Sequence, residues 1–179
     1  MVLLLALALL LMPSYRRGGT PVQVWMPLSA TKVCTPKATV GGTLYNSMVA
    51  PYTVGPMALR GASWYQGESN VGAAQFYACA FPAMISSWRE LFKVPDLWFG
   101  FVQIASFGYS HPMPGNKPET HHSQMAGDLR QSQLAALALP NVGLTTAVHT
   151  GDWSNIHPPD KENPSKALAD QVTLLLLFP

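Results

Sequence analysis

The sequence predicts an α/β domain, a parallel sheet flanked by helices whose strands are joined by helical crossovers. Three observations carry this. A short apolar run, Gly61 to Trp64, is followed by a long helical pattern beginning near Gln75. A nearly continuous apolar run, Leu97 to Ala105, is followed by a second helical pattern and then by a short strand pattern. Polar clusters stand directly after the first and last of these strands, at the carboxyl edge where open α/β sheets place their ligand sites.

In chain order, Met1 to Met12 is almost wholly Leu, Ala and Val. It is shorter than the roughly 20 apolar residues that span a bilayer. Its length suits either a signal-peptide core or a segment packed into the fold, although no basic stretch precedes it. Gly18-Gly19-Thr20 reads as a turn leading into an extended piece, with Val22, Val24 and Met26 alternating with Gln23 and Trp25. Pro27 to Gly42 reads as loop, and Leu44 to Val49 as a short helix stopped by Pro51.

The strongest helix follows the first polar cluster. Tyr77, Phe81, Met84, Ile85, Trp88, Leu91 and Phe92 recur at steps of three and four and form one apolar stripe. Pro82 is expected to kink it or to mark a join between two helices. Leu97 to Ala105, rich in Phe, Val and Ile, reads as a strand buried on both faces. Ser106 to His122 reads as a long surface loop. Gly127 to Leu139 reads as a helix, Gly143 to Val148 as a strand, and Lys166 to Phe178 as a terminal helix.

Composition narrows the function. The 179 residues suit one domain with a real core. Charged residues make up only 11%, against roughly 25% in typical soluble domains, which points to a surface covered by sugar or by another segment. The net charge of +2 is spread without a Lys/Arg run, so there is no electrostatic footprint for nucleic acid. Cys34 and Cys79 can form one bridge but no framework, and neither belongs to a CxxC pair. His111, His121 and His122 share the loop, yet neighbours in sequence do not face one ion, so no metal is expected. No Asn-x-Ser/Thr sequon occurs. Oligomeric state leaves no trace in the sequence.

Two stretches carry chemistry. In Trp64-Tyr65-Gln66-Gly67-Glu68-Ser69-Asn70, Gln66 and Asn70 offer amide donors, Glu68 a carboxylate, and Gly67 a close backbone approach. In Gly151-Asp152-Trp153-Ser154-Asn155-Ile156-His157-Pro158, an Asp and a His share one loop. There a carboxylate can orient an imidazole and stabilise its protonated form during general base catalysis.

Taken together, Trp64 to Asn70, Leu129-Arg130-Gln131-Ser132-Gln133 and Asn155-Ile156-His157-Pro158-Pro159-Asp160-Lys161 resemble sialate O-acetylesterases, a family of SGNH-type hydrolases. Gly18-Gly19-Thr20-Pro21-Val22 with Trp25, and Leu44-Tyr45-Asn46-Ser47-Met48, match further landmarks in the same order. The likeness runs from about Gly18 to Lys161. It divides the chain into an apolar segment, 1–17, and a partial esterase domain, 18–179. It implies a flavodoxin-like sheet, truncated at its N-terminal side, and hydrolysis of acetyl esters on sialic acid hydroxyls in a lysosomal or secreted setting. The implied partner is an O-acetylated sialic acid or a related acetylated sugar. No cofactor and no membrane span are implied.

Carried onto these positions, the resemblance makes His157 the general base. Asp152 is the acidic residue that orients it, although its spacing exceeds the usual D-x-x-H and Ser154 stands where that Asp would be. Gln66 and a backbone N–H of Gly18 or Gly19 become oxyanion contributors, with Gly67 and Asn70 in the same pocket, and Glu68 holds the loop. The family's nucleophile lies in an upstream Gly-Gln-Ser-Asn block, and this sequence has no such block. The implied state is therefore an esterase domain that is inactive, or nearly so, as an isolated chain. Two alternatives stand beside it. One is a sialoglycan-binding or regulatory module without chemistry. The other is an active esterase using Ser69, since Gly67-Glu68-Ser69 begins like a nucleophile elbow, although Val71 stands where the elbow requires glycine.

Overall fold

The computed structural model describes residues 20–55, 58–107, 120–152 and 155–177. Three strands, β1 (Gly61–Trp64), β2 (Trp98–Gln103) and β3 (Val142–Thr146), form a sheet in the order β1-β2-β3. Both pairings are parallel, with Gly61 opposite Trp98 and Phe99 opposite Val142. A parallel pair needs a crossover, and two helical segments supply it: α3 (Ala74–Leu91) between β1 and β2, and α4 (Thr120–Gln133) with a 3-10 turn (Leu134–Ala138) between β2 and β3. The terminal helix α5 spans Glu162–Leu177. The expected parallel α/β sheet is thus the one observed.

Alternation along β2 separates the two faces. Phe99 and Phe101 point to α3, where Phe81 packs edge-on to both rings at 6.0 and 5.3 Å. That face joins Trp25, Trp64, Tyr77, Met84, Ile85 and Trp88 in the main core. Trp98 and Val102 lie on the other face with Leu168 of α5 in a smaller cluster. Gly100 is required there, because a Cβ would meet the Trp98 ring at 2.0 Å. Gln171 of α5 donates its side-chain amide to the Leu144 carbonyl of β3.

Several sequence expectations need correction. Val22–Trp25 is a 3-10 turn rather than an extended piece. Three residues per turn set Val22 and Trp25 on one side, and both are fully buried. The stretch read as loop contains a helix, α1 (Leu28–Cys34), entered through Pro27. Pro51 does not stop the preceding helical turn. A π-turn (Tyr45–Val49) runs directly into α2 (Ala50–Thr53), and Pro51 occupies its first turn, where a missing N–H costs little. Pro82 lies inside α3, one element of 18 residues, so it does not mark a join between two helices. Helix α4 begins at Thr120, so His121 and His122 belong to a helix rather than to the loop. His111 lies outside the described residues.

The two cysteines are joined. Cys34 of α1 and Cys79 of α3 form a disulfide across 45 residues. Arg89, near the end of α3, is buried and clamps the entrances to two strands. Its Nε and Nη2 donate to the Leu97 carbonyl at 3.1 and 2.9 Å, and Nη2 also reaches the Pro140 carbonyl at 2.6 Å. Among the described residues, no helix is long and apolar enough to cross a membrane.

Candidate active site

Strand β1 ends at Trp64 and the chain turns at once through Gly67 into a short 3-10 segment, Glu68–Asn70. Gly67 is demanded by close approach, since a Cβ there would lie 2.7 Å from Ile104 Cγ2 and 3.0 Å from Leu129 Cδ2. The loop therefore sinks against the end of β2 and against α4. Its two amides are nearly inaccessible, Gln66 at 4% and Asn70 at 3% exposure, so their polar atoms need protein partners.

They have them. Gln66 Nε2 donates to the Thr20 carbonyl at 2.8 Å and to Asn70 Oδ1 at 3.0 Å, which uses both amide hydrogens. Asn70 Oδ1 also accepts from the Val22 backbone N–H at 2.9 Å. The Tyr77 hydroxyl lies 3.1 Å from Gln66 Oε1 and accepts from Trp64 Nε1 at 3.2 Å. As arranged, Gln66 holds the loop against the 20–22 segment. An oxyanion role for it requires exchanging one of these bonds for substrate. Gly18 and Gly19 lie outside the described residues, directly before the Thr20 that Gln66 holds.

Two residues that the sequence left without a polar role complete the loop. Gln133 of α4 is fully buried. Its Nε2 donates to the carbonyls of Gln66 and Val102 at 3.3 Å each, and its Oε1 accepts from Ile104 N–H at 3.1 Å. One side chain thus ties together the carboxyl ends of β1 and β2. Tyr77 reads in sequence as part of an apolar stripe, yet its hydroxyl is the centre of the Trp64–Gln66 contact. For Tyr77 the available signal was a polar group on an otherwise apolar helix face, and for Gln133 it was its place in the Leu129–Gln133 stretch that carries part of the family likeness.

After β3 a 3-10 turn, Val148–Thr150, leads into the second loop. Gly151 packs so closely on Ser106 that a Cβ would meet its carbonyl oxygen at 2.1 Å. The Asp152 carbonyl accepts from Asn155 N–H at 3.3 Å, and Asn155 Oδ1 accepts from His157 N–H at 2.9 Å. These short-range bonds fold the loop into a turn that presents His157 to solvent. Asp152 is half-buried at its start.

The two loops meet electrostatically. Lys161 Nζ lies 4.3 Å from the centre of the Tyr65 ring, a cation–π contact that crosses from the second loop to the first. Burial pushes the Glu68 carboxyl above its ordinary value, while the positive charges of His157 and Lys161 pull it back. Burial lowers Lys161, opposed by Glu68 and Asp160, and burial raises the Tyr65 phenol, with Glu68 and Asp160 adding to the shift. Glu68, expected to structure the loop, therefore also lies within electrostatic reach of His157 and Lys161. The Ser69 Oγ is buried without a hydrogen-bond partner. It makes no contact with His157 of the kind an activated nucleophile needs.

This arrangement is a parallel α/β sheet whose carboxyl edge gathers buried amides, a carboxylate and a histidine. A carbohydrate acetylesterase from Xanthomonas citri has the same fold, with a TM-score of 0.71 and 32% identity over 88% of this chain and 34% of that one. A protein from Arabidopsis thaliana shares the fold at a TM-score of 0.59 and 24% identity, covering 90% of this chain and 59% of its own. The family model described as carbohydrate esterase, sialic acid-specific acetylesterase, matches residues 9–165. The human sialate O-acetylesterase is 30% identical over 81% of this chain and 31% of its own length, and the rat one 28% identical over 81% and 35%. The chain belongs to the sialic acid-specific acetylesterase family of carbohydrate esterases. It spans about a third of the length of these curated relatives.

Proposed function

We propose that this chain carries the base and pocket portion of a sialate O-acetylesterase-type site, which hydrolyses acetyl esters on sialic acid hydroxyls. His157 takes the proton of an attacking serine and returns it to the sugar hydroxyl as the alkoxide leaves. Glu68 and Asp152 favour the imidazolium that forms between these steps. The loop 66–70, with the segment that precedes Thr20, lines the oxyanion side. The observation that supports this reading is the contact of Lys161 with the Tyr65 ring between the two loops, with Glu68 within electrostatic reach of both Lys161 and His157, in a chain of this family.

Among the described residues, no serine, threonine or cysteine side chain is hydrogen-bonded to the His157 ring. That supports an isolated chain that binds O-acetylated sialic acid without releasing acetate, and it argues against Ser69 as nucleophile. The Cys34–Cys79 bridge supports a secreted or lysosomal setting, because disulfides persist in oxidising compartments.

Fluorophosphonate labelling of the folded 179-residue chain, mapped by mass spectrometry, tests the assignment. The expected result is no labelled serine, together with binding of O-acetylated sialic acid that weakens in His157→Ala. A label on any serine would overturn it, and a label on Ser69 would establish the elbow instead.

A further inference from the structure

Lys161 stands four residues after His157 and directly before α5. Its backbone is fixed there. The Lys161 carbonyl accepts from Ser165 N–H at 3.2 Å, and the neighbouring Asp160 carboxylate accepts from the Asn163 backbone N–H and side-chain amide at 3.2 and 2.7 Å. The side chain crosses to the first loop, where Nζ lies 4.3 Å from the centre of the Tyr65 ring. That ring is held in turn by the cluster of Val102, Ala105, Ala147 and Leu168. An aromatic face attracts an ammonium but gives its N–H donors no oxygen. Among the described residues no oxygen accepts from Lys161 Nζ, and neither Glu68 nor Asp160 pairs with it, although both act on it through space. Lys161 is thus an exposed cation set in a fixed place at the join of the two loops.

We infer that Lys161 recognises the carboxylate of the sialic acid and so makes this a site for acidic sugars. Lys161 thereby adds a specificity residue to the sialate O-acetylesterase-type site, on whose reading the assignment rests. A sialic acid carries a carboxylate besides the acetyl ester. That anion needs a partner other than the base and the oxyanion donors, which serve the ester. An ammonium supplies charge-assisted hydrogen bonds to a carboxylate, and one already held by a ring loses little freedom on binding. Asp160 does not compete for it, because both of its oxygens are engaged by Asn163. Neutral acetylated sugars offer the same ester but leave Lys161 without its anion. Since Lys161 is exposed, the preference for the acid should be moderate, about 5-fold.

Isothermal titration of the full 179-residue chain with two probes tests this. One is an O-acetylated sialic acid as its methyl glycoside; the other is the same compound with its carboxylate methylated. The wild type should bind the acid about 5-fold more tightly than the methyl ester. Lys161→Met should bind the acid as weakly as the methyl ester, with methyl ester affinity unchanged, and Lys161→Arg should restore the preference. Equal binding of the two probes by the wild type would overturn the assignment, as would a Lys161→Met chain that keeps the preference. Loss of affinity for both probes alike in Lys161→Met would overturn it too, making the contact with Tyr65 a strut between the loops. If neither probe binds the wild type, the esterase-type reading itself fails and the role of Lys161 with it.

Discussion

Gln66 Nε2 and Asn70 Oδ1 are hydrogen-bonded at 3.0 Å, and the same oxygen receives the Val22 N–H at 2.9 Å. A side chain four residues along the loop thus accepts from both the loop's own amide and a segment nearly fifty residues upstream. The contact fixes the loop after β1 to the 3-10 turn that begins the described chain.

Asn70→Ala leaves these two buried donors without their acceptor, each costing about 1–3 kcal/mol. A stability loss of roughly 2–5 kcal/mol in urea unfolding is expected, with Thr20 to Trp25 becoming newly accessible to exchange. A loss below about 0.5 kcal/mol would mean that water replaces the oxygen freely.

Gly67→Ala places a methyl 2.7 Å from Ile104 Cγ2 and 3.0 Å from Leu129 Cδ2. Leu129 and Ile104 are fully buried, so neither can retreat without repacking. Overpacking of this kind costs about 1–3 kcal/mol. Thermal unfolding should register it, and an unchanged midpoint would show the end of β2 to be more yielding than it looks.

The pH dependence follows from Glu68. Its folded carboxyl is raised by burial. Between the ordinary carboxylate range and the raised value, the folded chain keeps a proton that the unfolded chain has released. Stability contributed by Glu68 is therefore present at low pH and falls as pH rises through that window. Glu68→Gln should flatten this slope and gain stability above the window. Lys161→Met should extend the window upward, because a positive charge that favours the carboxylate is gone. Urea midpoints across a pH series decide it, and a slope unchanged in Glu68→Gln would place the titration elsewhere.

His157 is exposed, so His157→Ala should change stability by less than about 0.5 kcal/mol. Loss of one hydrogen bond should weaken binding of O-acetylated sialic acid by roughly 5–10-fold. Isothermal titration reads the binding and denaturant unfolding the stability; a large stability loss with unchanged binding would make His157 a structural residue.

Reducing Cys34–Cys79 releases a loop of 45 residues, worth about 4 kcal/mol on the chain-entropy account. A dithiothreitol-treated chain should show a clearly lower urea midpoint. Equal midpoints would mean that the α1–α3 packing suffices by itself.

The sheet was legible in the sequence because burial on both faces leaves a signature. Leu97 to Ala105 and Gly61 to Trp64 read as strands from their short length, flanking turn residues and, in the former, Phe, Val and Ile content, and the stripe from Tyr77 to Phe92 as a helix from its period. The segment before β1 was not legible. Val22, Val24 and Met26 alternate by chance, and what bends them into a 3-10 turn is the Asn70 oxygen waiting for the Val22 N–H. Pro27 and Pro51 read as breaks but serve as helix entrances, a distinction set by where the tertiary packing sends the chain beyond each ring.

The sequence by itself determined which residue types stand at the carboxyl edge of the sheet: Gln66, Glu68 and Asn70 after one strand, Asp152 and His157 after another. Only the tertiary structure decided how they are used. Strands β1 and β3 are separated by β2, so no spacing along the chain can say that Lys161 lies over Tyr65 or that Glu68 comes within electrostatic reach of His157. Nor can it say that Gln133 closes the gap between strand ends, because a buried amide's partners are fixed by the packing of three elements at once. Burial then sets the electrostatics, turning a loop carboxylate into one held above its ordinary value by the very fold it helps to build.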